Sequence, residues 1–124
     1  MVRLLLVILG GCIGSATRYG VGLLTAWLWG GGFPWGTLVV NMVGCLLIGL
    51  AFGLAERTAW VTPDVRLFFV TGFLGALTTF SSFAYETVAK ATGGETHLAL
   101  VNFVANNAGG LVLVVAGIWL AKVI

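Results

Sequence analysis

From Tyr19 to Ala55 the chain runs for 37 residues without a charged side chain. A helix rising 1.5 Å per residue over that length would far exceed the ~30 Å hydrocarbon core of a bilayer. Gly30-Gly31-Gly32-Phe33-Pro34 interrupts the stretch, which predicts two crossings joined by a short turn. Trp27, Trp29 and Trp35 gather at that turn, where tryptophan's apolar ring and polar N–H favour the membrane–water interface.

The rest of the chain divides the same way. Fourteen uncharged residues separate Arg3 from Arg18, 19 more run from Leu67 to Tyr85, and 24 run from Leu98 to Ala121. Between them, Glu56–Arg66 holds four charges and Pro63 and reads as a wet loop. The expected fold is an all-α membrane protein, one four-helix domain over 1–124 with spans near 4–27, 35–55, 67–88 and 98–121. The apolar start is read as a retained first span, because a Gly-rich, Arg-containing continuation replaces a cleavage site.

Hydrophobic residues make up 60% of the chain before its 19 glycines are counted, against about 45–50% with glycine included in soluble domains. Only 8% are charged, too small a polar coat for a water-soluble globule, so a soluble enzyme is excluded. The six basic residues are scattered rather than clustered, which argues against a nucleic-acid partner. Cys12 and Cys45 lie in apolar stretches without metal-ligand spacing and read as packing residues. With four spans both termini share a side, which holds Arg3, Arg57, Arg66 and Lys122 against Lys90 on the other. That bias favours termini inside, and it is small enough for insertion in both directions.

Gly10-x-x-x-Gly14 and Gly49-x-x-x-Gly53 read as close helix contacts. Polar residues at membrane depth are costly unless they pair or line a wet cavity. Arg18 either snorkels to the nearer interface or draws anions into a vestibule. Thr37 and Asn41 enter the second span, and Asn102, Asn106 and Asn107 the fourth; Asn102 and Asn106 are four apart and form one stripe. In the third span, Gly72-x-x-Gly75-x-x-Thr78-Thr79-Phe80-Ser81-Ser82-Phe83 makes a poor continuous helix, which predicts a break near its middle. Carbonyls freed there could coordinate a cation. The only acid near a span is Glu86, whereas cation paths use acidic rings, so amides, hydroxyls and ring edges point to a small anion.

Three segments resemble the Fluc (CrcB-type) fluoride channels: Gly10-Gly11-x-x-Gly14-x-x-x-Arg18-Tyr19, Gly36-Thr37-Leu38-x-Val40-Asn41-x-x-Gly44, and the third-span run through Phe83 to Glu86. The resemblance implies a passive fluoride-selective channel in the prokaryotic cytoplasmic membrane, built as an antiparallel, dual-topology homodimer. It implies that Asn41, Phe80 and Phe83 line the pore with the Ser81 and Ser82 hydroxyls, Thr37 and Arg18 beside them. It further implies a structural Na⁺ on main-chain oxygens of Gly75 and Thr78. Asn102 and Asn106 stand where the family pattern leads one to expect Tyr and Ser hydroxyls. A small multidrug exporter of the same length should carry an acid in span one, which here holds Arg18 instead; a non-transporting assembly subunit is excluded by no residue.

Overall fold

The computed structural model describes residues 1–124 and is entirely helical. Helix α1 is Val2–Trp29 and α2 is Trp35–Ala55. The third crossing, Pro63–Thr92, consists of α3 (residues 63–77) and α4 (Phe80–Thr92), and the fourth is α5, Thr96–Val123. All four crossings are long and apolar enough to traverse a bilayer.

The third crossing starts four residues before the expected 67, inside the segment read as a loop. Thr62 is its N-cap, its hydroxyl accepting from Val65 N at 3.3 Å, and Pro63 occupies the first turn with Asp64. Proline has no amide to leave unpaired there, and an acid favours the positive end of the helix dipole, so these charges begin a helix. The fourth crossing likewise extends slightly beyond 98–121 at both ends. At the first turn, α1 stops at Gly30, whose φ of 73° suits a residue without a Cβ.

Helix α1 packs chiefly along Leu67–Leu74 of α3, and α2 along the second half of α5. Close approach depends on glycine: a Cβ on Gly10 or Gly14 would collide with the carbonyls of Phe68 or Phe73. The second glycine pair behaves alike, since a Cβ on Gly49 would strike the Val114 carbonyl. Both small-residue spacings therefore mark real helix contacts. Two π-helical stretches, Leu67–Leu74 in α3 and Ala105–Gly109 in α5, are wider than the regular spacing assumed from sequence.

Only 18 of 124 residues are buried, and large apolar side chains such as Leu4, Leu23, Val43, Val88, Leu111 and Trp119 face outward, at least one on every crossing. An exterior of this kind requires hydrocarbon as its solvent. Val40, Leu74 and Leu77 form the small apolar centre where α2 meets the end of α3.

The break is narrower than the sequence implied. Gly72 and Gly75 remain helical, and only Thr78 (φ −82°, ψ 156°) and Thr79 (φ −151°, ψ 120°) are extended. Helix α4 then restarts at Phe80, with Thr79 as N-cap accepting from Ser82 N at 3.2 Å. Gly44 of α2 faces this point, where any Cβ would collide with Thr78 Cγ2. Glycine thus makes room for the break from the neighbouring helix.

Candidate functional site at the break

Asn41 supports the two extended threonines from α2. Its Oδ1 accepts the Thr79 amide at 2.9 Å, while its Nδ2 donates to the Thr79 carbonyl at 3.1 Å and to Asn106 Oδ1 at 2.9 Å. The side chain replaces the hydrogen bonds that an uninterrupted helix would supply, as buried backbone groups require. Both Nδ2 hydrogens and the oxygen of Asn41 are thereby engaged within the protein.

Two cavities meet at Thr79, which lines both. The first, about 320 Å³, lies against the break and is lined by Asn41, Gly44, Cys45, Gly75, Thr78, Phe80, Phe83, Asn106 and Asn107 among others. The second, about 310 Å³, opens toward the α1–α2 turn and includes Arg18, Thr25, Gly36, Thr37, Ser82 and Glu86. Segment Thr79–Phe83 separates the two.

Donor bookkeeping distinguishes the hydroxyls. Thr79 Oγ1 gives its one hydrogen to Ser82 Oγ at 3.1 Å, so Ser81 is the donor in its 3.3 Å contact with Thr79. Ser82 Oγ accepts, and its own hydrogen has no acceptor. Half-buried Arg18 lines the same cavity and forms no salt bridge. A free hydroxyl hydrogen and a fixed positive charge both favour an anion.

Phe80 and Phe83 lie with ring centroids 5.6 Å apart at 60°, yet they face different surroundings. Phe83 is 5% exposed and meets Phe103 of α5 at 6.3 Å, whereas Phe80 is 77% exposed. The structure thus brings Thr37, Arg18 and Ser82 to one cavity and Asn41, Phe80, Phe83 and Asn106 to the other. Ser81 is exposed beside them, and Asn102 lines neither cavity. It is completely buried, with its Nδ2 donating to Thr87 Oγ1 at 2.8 Å.

Gly75 and Thr78 bracket the broken turn. The amides that would reach their carbonyls in a continuous helix, those of Thr79 and Ser82, bond instead to Asn41 Oδ1 and Thr79 Oγ1. Two main-chain oxygens are left without their helical donors.

Thr79, Thr87 and Glu86 acquire roles that the sequence did not assign. Thr37 Oγ1 donates to Glu86 Oε1 at 2.7 Å, and Glu86 Oε2 is buried without a partner. The four Ser and Thr hydroxyls and one carboxyl from Thr79 to Thr87 were visible, but which of them point inward depends on where the helix restarts.

The fold and the site define a multi-span membrane protein whose polar groups converge on a broken helix between two cavities. The chain belongs to the CrcB-like protein, Camphor Resistance (CrcB), family, which it matches over residues 5–118. It is 40% identical over 120 residues to the fluoride-specific ion channel FluC of Clostridium perfringens (strain 13 / Type A), covering 97% of this chain and 94% of the relative. A protein of the same name from Thermus thermophilus is 50% identical over 101 residues, 82% of this chain and 80% of the relative. That of Nitrosococcus oceani is 39% identical over 122 residues, 98% of each chain.

Proposed function

We propose that the chain is a fluoride-selective passive ion channel of the prokaryotic cytoplasmic membrane that lets toxic fluoride leave the cell, and that it has no enzymatic activity. The observation that carries this reading is the segment Thr79–Phe83, which brings an unspent hydroxyl and two aromatic rings to the junction of two cavities. Relatives named fluoride-specific ion channel, similar over 82–98% of this chain, identify the anion and favour this reading over an exporter or an assembly subunit.

Arg18 raises the local anion concentration in the second cavity, toward the α1–α2 turn. Fluoride is small and strongly hydrated, so closely spaced donors must replace its water. Ser82 offers its free hydrogen, Ser81 can turn from Thr79, and the positive edges of Phe80 and Phe83 continue the path while their bulk excludes larger ions. Asn41 and Asn106 line the first cavity, Asn41 holding the break open and Asn106 bonded to it.

The active form in this reading is an antiparallel homodimer. Its support is the weak charge bias, the exposure of Phe80, and Asn107, an exposed amide at mid-span that lipid would not solvate. A partner's break placed opposite would bring together the carbonyls of Gly75 and Thr78, neutral hard oxygens that suit Na⁺. The ion would tie the breaks together and offset the dipoles of their unpaired carbonyls. Purified protein in liposomes loaded with fluoride should release it rapidly when the charge is balanced by a K⁺ ionophore, without energy input; release of chloride at the same rate would refute the proposal.

A further inference from the structure

The side-chain hydrogen bonds behind the break run head to tail. The Thr79 amide donates to Asn41 Oδ1 at 2.9 Å, and Asn41 Nδ2 donates to Asn106 Oδ1 at 2.9 Å. Asn106 Nδ2 donates to Asn102 Oδ1 at 2.9 Å, Asn102 Nδ2 to Thr87 Oγ1 at 2.8 Å, and Thr87 Oγ1 to the Phe83 carbonyl at 2.7 Å. The series leaves the backbone at residue 79, passes through α2 and α5, and returns to the backbone at residue 83.

Between those two ends lie Phe80 and Ser82, each lining one of the two cavities, and Ser81, exposed beside them. Each amide both accepts and donates in the same sense, so polarisation of one bond strengthens the next, and reversing any amide would set donor against donor. Asn102 has no exposed surface and could not replace a lost partner with water.

We propose that this series is a clamp fixing segment 79–83 and that Thr87, which touches neither cavity, is a positioning residue for the anion path. The proposal rests on the fluoride-channel reading above. Thr87 receives the clamp from α5 and delivers it to the carbonyl of Phe83, one helical turn back, so its hydroxyl sets where that ring and the preceding serines stand. Its neighbour Glu86 is tied to Thr37 of α2, so α4 is secured from both sides at consecutive residues.

Fluoride and chloride fluxes from liposomes distinguish positioning from simple stabilisation. Thr87→Val keeps the side chain's shape but removes the hydroxyl, and fluoride flux should fall by about ten-fold or more because the stranded amide must move. Thr87→Ser restores the hydroxyl and should recover most of the flux. The double variant Thr87→Val with Asn102→Val removes both buried polar partners, which spares assembly, yet it should remain slow because the clamp is still open. Native flux in an assembled Thr87→Val or in the double variant would overturn the proposal, as would a Thr87→Ser protein as slow as Thr87→Val. If Thr87→Val does not assemble, the double variant and Thr87→Ser decide alone. The unsubstituted protein is the control: if it carries no fluoride, the channel reading itself has failed, whereas flux at the native rate in it and in every variant removes only the clamp.

Discussion

At the break, the hydroxyls and the amides differ in what they have left to give. Asn41 and Asn106 spend their amide hydrogens inside the protein, while Ser82 keeps one hydrogen free in the cavity that also holds Arg18. Ser82→Ala should therefore slow fluoride flux by about ten-fold, a single hydrogen bond to a charged ligand being worth that order. Ser82→Thr keeps the donor and should stay close to native, with flux in liposomes as the check. The rings separate in another way. Phe80→Ile should reduce flux without disturbing the isolated chain, since Phe80 is 77% exposed there, whereas Phe83→Ile should reduce flux and also cost about 1–3 kcal/mol of stability from its packed site. Flux beside a thermal melt in detergent measures both, and full activity at both positions in assembled protein would return the rings to a packing role.

At the level of elements, the position of the break is set jointly by Thr79 as N-cap, Asn41 as substitute backbone partner and Gly44 as clearance. Gly44→Val should destabilise the protein by about 1–3 kcal/mol, because its side chain would enter the space of Thr78 and overpack it; a melting curve tests this, and an unchanged midpoint would show that the α2–α3 contact is loose. These partners explain what could be read from sequence. Long runs without charge located the four crossings, because charge at lipid depth is costly unless it pairs or lines a cavity as Arg18 and Glu86 do, and the hydroxyl run located the interruption of the third. Glycine spacing located the close contacts of α1 with α3. The early start of α3 escaped because its charges resemble a loop until the Thr62-Pro63 cap is recognised. The π-helical stretches escaped because a wider turn leaves no periodic mark. Asn102 and Asn106 do share one stripe, the Asn106 amide donating to Asn102 Oδ1, but α4 lies against Asn102, which gives its own hydrogen to Thr87 instead of lining a cavity. Which donors are spent is a property of pairs distant in sequence, Asn41 with Asn106 and Asn102 with Thr87, and no local pattern displays it.

For the whole molecule, the proposed antiparallel pairing would cover the exposed ring of Phe80 and the mid-span side chain of Asn107 and would bring the carbonyls of Gly75 and Thr78 to those of a partner. Single cysteines added at the N-terminus, in a background carrying Cys12→Ala and Cys45→Ala, should react with impermeant thiol reagents from both faces of the membrane; labelling from one face alone would refute dual topology. The proposed Na⁺ would stabilise only the folded dimer, so the thermal midpoint should rise with Na⁺ concentration and not with an organic cation of equal ionic strength. Passive selection of fluoride by the segment Thr79–Phe83 is tested most directly by the zero-current voltage of a reconstituted bilayer with fluoride and chloride gradients opposed. The voltage should settle at the equilibrium potential of fluoride and stay there when Na⁺ or proton gradients are reversed; a voltage set by chloride, or one that follows either cation gradient, would contradict a passive fluoride path.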